Sequence, residues 1–206
     1  TLAAMRERIG LELELFEAGE LHAQLNNIAS PVQYLRDVYD IMPTATVEDW
    51  SNIASRMAAL PATMAGFVES LRYAAERGRV AASRQVELCV EQARELADPR
   101  TSFFRTFVAG EEATAALAEA PSLRADLERA ADGAIAAYAR LADFLSGELA
   151  PLAPSEDAVG RERYALWSRF FLGSAVDLEE TYRWGLDELA RIVAEQEALA
   201  AQIVGE

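Results

Sequence analysis

Apolar residues recur every three or four positions through almost the whole chain, and nowhere do they settle into the two-residue alternation of a strand. The first helix is expected from about Leu2 to Leu25, with Leu2, Met5, Ile9, Leu13 and Phe16 on one stripe and Asn26-Asn27 at its end. Ser30 followed by Pro31 reads as an N-cap with proline in the first turn, and the short helix it opens ends near Met42-Pro43. Thr46 and Asp49 resemble a capping box for a helix to about Leu60, and Pro61 is read as the start of another that reaches Gly78. A helix from Arg79 to Ala97 follows, with Val80, Val86, Val90 and Ala93 inward, stopped by Asp98-Pro99. Phe103, Phe104 and Phe107 mark the next. Ser122, after Pro121, is assigned as the cap of a long alanine-rich helix to about Leu149. Pro151 and Pro154 flank the one plausible linker. Beyond it come helices over about Arg161–Leu172 and from Asp177, a cap with Glu180, to about Val204.

These elements predict an all-α fold of about eight mostly antiparallel helices in a bundle-like array, ending in a helical hairpin. Residues 1–206 are expected to form one unit, with a sub-boundary at 150–160. The length suffices to bury roughly 70% of the unfolded surface. No apolar run approaches the ~18 residues of a membrane span. The chain opens on Thr1 without a signal-peptide pattern, so Thr1 is read as the edge of a longer chain or a cleavage product. A cytoplasmic setting is expected, with a lost targeting segment the alternative.

Charge changes the picture by exclusion. The formal net charge is −15, and all 19 basic residues are arginine. They are spread along the chain beside acids, which argues against nucleic acid or an anionic membrane as partner. Chemistry is scarce. His22 is the only histidine, and residues 18, 19, 25 and 26 around it supply no second ligand at helical spacing. Cys89, the only cysteine, sits among Val86, Leu88 and Val90 and reads as a core thiol. Thr1 as an N-terminal nucleophile is disfavoured by the absence of strands. Glu12, Glu14, Glu17 and Glu20, and the pairs Glu111-Glu112 and Glu179-Glu180, read as solvated helix faces. No P-loop, G-x-G-x-x-G or G-x-S-x-G occurs. The expectation is no catalytic residue, no metal ligand and no cofactor within this chain.

The aromatic group near the end is the most suggestive feature. Tyr164, Trp167 and Phe171 share one helix face, with Phe170 beside them and Tyr182 and Trp184 on the last helix. The plainest reading is the core of the terminal hairpin. The sharper one is a wall of a cleft, with Arg163 and Arg169 offering charge to an anion.

The run from Gly160 through Tyr164 to Trp167, and then Asp177 through Tyr182, Gly185 and Glu188 to Ile192, resembles a recurring block of the DUF885 proteins. Arg56–Pro61, Gly78–Ala81 and Gln85–Glu87 resemble that family's helical N-terminal half. The resemblance implies a helical zinc metallopeptidase that hydrolyses peptide bonds with a metal-activated water, its ligands in a His-Glu-x-x-Pro-Gly-His motif absent here. It therefore implies that this chain is the non-catalytic portion of such an enzyme. Its partners would be the missing C-terminal half and, for the whole enzyme, zinc and a peptide substrate. Arg163, Tyr164 and Trp167 are the expected cleft-lining residues. A stand-alone helical interaction module is the competing expectation.

Overall fold

A computed structural model describes residues 2–205, without the Ala3 side chain. Among the described residues every regular element is helical. In chain order these are α1 (Leu2–Glu17), α2 (Pro31–Asp37), α3 (Val47–Ala75), α4 (Ser83–Ala97), α5 (Phe103–Val108), α6 (Glu111–Ala116), α7 (Pro121–Phe144), α8 (Arg161–Leu172) and α9 (Leu178–Val204). A π-turn at Leu145–Leu149 prolongs α7. By contacts the chain forms two units: the first fifteen residues together with Val159 onward, and Phe16–Ala158.

The Phe16–Ala158 unit is built around α7. Apolar residues cover most of that helix's circumference, as a helix enclosed by neighbours requires. Ala130, Ala131, Ala134, Ile135, Tyr138 and Leu141 are all buried. Its largest interface is with α3, the next with α4, and α5 packs on it as well. Alanines let the neighbouring backbones approach. Pro61 of α3 lies over Gly133, where an added Cβ would sit 3.6 Å from the proline ring. Further along, Arg72 of α3 pairs with Glu148, Nε to Oε2 at 2.9 Å and Nη2 to Oε1 at 2.8 Å. Residue numbers rise together along both helices, so α3 and α7 are parallel. Against α7, α4 runs back: the Ser83 amide donates to the Pro154 carbonyl at 2.8 Å, while Ala97 borders Ala139 and Ala142. This parallel pair departs from the mostly antiparallel arrangement.

Aromatic packing closes one end. Tyr39, Trp50, Phe104 and Tyr138 are fully buried, and Tyr39 meets Phe104 edge-on with centroids 5.8 Å apart. Two of these rings have their polar atom hydrogen-bonded to backbone. Tyr138 Oη donates to the Val32 carbonyl at 2.9 Å and Trp50 Nε1 to the Thr44 carbonyl at 2.9 Å. A chain of amides holds the 23–30 loop on α4. Gln33 Nε2 donates to Gln92 Oε1 at 2.6 Å, Gln92 Nε2 to the Asn27 carbonyl at 2.9 Å, and the Asn27 amide to Gln85 Oε1 at 3.0 Å.

The helix ends follow local chemistry, with corrections. The Thr46–Asp49 box forms, with Asp49 N donating to Thr46 Oγ1 at 3.1 Å and Thr46 N to Asp49 Oδ2 at 2.9 Å. Asp177 accepts from the amides of Glu179 and Glu180. The first helix stops at Glu17 rather than Leu25, because Gly19 takes a left-handed conformation (φ 77°) and a short 3₁₀ turn follows. Pro61 does not start a helix; it lies inside α3. Proline removes one intrahelical bond, and packing against α7 carries the helix through. Ser122 is not a cap, since Pro121 already occupies the first turn of α7 and the residue before it is Ala120. The expected stripe of α1 faces outward: Leu2, Met5, Ile9, Leu13 and Phe16 are each more than half exposed, whereas Leu11 and Leu15 are buried.

Three outcomes follow for stability. Tyr138→Phe leaves the buried Val32 carbonyl without its donor and lowers unfolding free energy by about 1–3 kcal/mol in urea titration. Gly66→Ala, in α3 with nothing within 4 Å of the new methyl, raises it by up to about 1 kcal/mol. Burial pushes the Tyr39 hydroxyl up to about 12 from an ordinary 10. The unfolded chain therefore ionises first, and thermal stability falls as pH rises from 10 toward 12, less steeply in Tyr39→Phe.

Candidate functional site

The expected cleft residues lie on α8, in the unit that also contains α9 and the first fifteen residues. Gly160, at φ 82°, precedes α8, and Gly173, at φ 72°, ends it. Between them the aromatic face forms as the spacing predicts. Trp167 lies near-parallel to Phe171 with centroids 6.0 Å apart and edge-on to Phe170 at 5.6 Å. The rings do not form an enclosed hairpin core. Tyr164 is 57% exposed, Phe171 78%, Tyr182 66% and Trp184 65%, and no described residue of α8 or α9 is buried. Arg163 and Trp167 are half-buried. Tyr164, Trp167 and Phe171 thus present an aromatic face with Arg163 beside it.

Arg169 departs from its expected role. Its Nε reaches Glu7 Oε1 at 2.5 Å and its Nη1 reaches Glu14 Oε2 at 3.0 Å, both on α1. A guanidinium held by two carboxylates offers little to a third anion. Arg8 completes the clasp from α1, its guanidinium 4.2 Å from the Phe170 centroid and its Nη1 donating to the Phe170 carbonyl. Arg161 Nη1 reaches Glu179 Oε1 at 2.6 Å, joining the first turn of α8 to the first turn of α9. The role of Glu7 and Glu14 was not legible, because their partner lies more than 150 residues away.

His22 lies between Phe16 and Tyr73, at centroid distances of 5.3 and 4.8 Å, with no second imidazole in the chain. Cys89 is fully buried, and burial pushes its thiol up to about 11. Thr1 lies outside the described residues. Glu20 corrects the reading of the acids as solvated faces: it is 3% exposed and lies 3.7 Å from Arg79. Among the described residues no group of three His, Cys, Asp or Glu side chains is placed to hold a metal ion, and none of the described helices is long and apolar enough to cross a membrane.

The fold and this face define an all-α protein with an aromatic face on α8. The chain belongs to the DUF885 family, described as bacterial protein of unknown function, whose profile matches residues 1–206. No curated protein matches it.

The clasp sets a titration. Its hydrogen bond from Arg169 holds the Glu7 carboxyl below the ordinary 4.5. The α1–α8 contact is therefore fully present above that value and is lost as pH falls through the lowered one. NMR titration of the Glu7 carboxyl carbon places its midpoint below 4.5, and Arg169→Gln returns it to the ordinary range.

Proposed function

We propose that this chain is the helical, non-catalytic portion of a zinc-dependent peptidase, in which the α8 face walls the substrate cleft. The aromatic face of α8, with Tyr164 and Phe171 exposed and Trp167 half-buried between them, carries this reading. Rings left open to solvent suit the apolar side chains of an extended peptide, and Arg163 is the cleft-lining candidate next to Tyr164 on the same helix. The residues present do not fit zinc. His22 is held among aromatic rings, Cys89 is sealed in the core, and no acid cluster accompanies either. The metal and its chemistry then belong to the C-terminal half, which is the chain's main partner.

The test compares two proteins. The 206-residue chain, purified and analysed for metal by mass spectrometry, holds no stoichiometric zinc and cleaves no peptide library. The longer protein does both. In the longer protein Tyr164→Ala and Arg163→Ala raise KM about tenfold with kcat unchanged, the signature of lost uniform binding. Tight zinc in the 206-residue chain, or a longer protein without zinc or hydrolysis, overturns the reading.

A further inference from the structure

We infer that α9 is a self-association surface on which a second copy of the chain packs antiparallel. This inference is independent of the peptidase reading. It starts from the spacing along α9, where Tyr182, Leu186, Leu189, Val193, Gln196, Ala200 and Ile203 alternate steps of four and three. That is the seam of a two-helix coiled coil. The seam is open: Tyr182 is 66% exposed, Leu189 58% and Ile203 85%.

The residues beside the seam select the occupant. On one flank lie Arg183, Ala190 and Glu197; on the other Gly185, Ile192 and Leu199. Arg191 is held by Glu188 and Glu195 on the outer face. By contrast, neither Arg183 nor Glu197 has an ion-pair partner among the described residues. In a parallel pair each would face an uncharged flank. An antiparallel pair brings like flanks together, with a two-fold axis at the level of Arg191. Arg183 then meets Glu197 of the second copy, and the same pair recurs on the other side of the axis. The layers also match in size. Leu189 packs on Val193, Leu186 on the aliphatic stem of Gln196, and the large Tyr182 on the small Ala200. One polar seam residue, Gln196, disfavours other registers. The contact is isologous, so it closes at two copies.

Sedimentation equilibrium of the 206-residue chain tests this. A reversible dimer is expected at about 100 μM, within the range of a modest interface. Leu189→Glu gives a monomer with unchanged helical circular dichroism. Arg183→Glu or Glu197→Arg alone weakens the dimer about tenfold, since each places two like-charged contacts in it. The double variant Arg183→Glu/Glu197→Arg restores wild-type affinity to within about threefold. A wild-type monomer at that concentration, a larger assembly, a dimer indifferent to Leu189→Glu, or a double variant that stays weak each overturns the inference.

Discussion

Close approach of α3 to α7 is the constraint on which the Phe16–Ala158 unit depends. A proline inside a helix would ordinarily bend or end it, at a cost of about 3 kcal/mol. Here Pro61 lies over Gly133, the one position in that part of α7 without a side chain to obstruct it. Alanines at 130, 134 and 137 keep α7 narrow, so α3, α4 and α5 can all reach it. Every residue of the main buried cluster lies between Leu25 and Leu149. The cluster is one connected core around one helix, and larger side chains on α7 would push its neighbours apart together.

The π-turn after α7 shows the same economy at the far end. It carries Glu148 to Arg72, which also meets Glu69 and stacks over Phe144 at 5.0 Å. That cluster is exposed, so it adds little to stability. Its effect is positional: a bidentate pair fixes where the end of α3 stands against the end of α7.

What was legible in the sequence was local. Helical period, the Thr46–Asp49 box and the Asp177 cap each depend on residues within one turn, and each forms. Pro61 was misread because a proline that starts a helix and one carried through a helix look alike without the neighbour that holds it. The outward direction of the α1 stripe was not legible for a related reason. Its apolar residues fall on more than one line, and only tertiary packing decides that Leu11 and Leu15 are buried. Glu20 with Arg79, and Arg169 with Glu7 and Glu14, are charge pairs across 59 to 162 residues, and no spacing rule reaches them. The aromatic face was legible as a face, since helical spacing alone groups Tyr164, Trp167 and Phe171. Its exposure was not.

The two units therefore differ in what holds them. Around α7, apolar burial is extensive and the caps and pairs are refinements. On α8 and α9 no residue is buried, and order comes from the Asp177 cap, the i,i+3 and i,i+4 pairs of Arg191, the Arg161–Glu179 tie and the Arg169 clasp. Such terms are worth a few tenths of a kcal/mol to about 1 kcal/mol each. A 27-residue helix draws most of its stability in proteins from packing an apolar face. A second copy on the α9 seam would supply that packing, while the peptide reading uses a different face, the α8 rings. The scarcity of histidine and lysine accords with this division, because an element whose role is to present surfaces uses rings, alanines and paired arginines rather than titrating side chains.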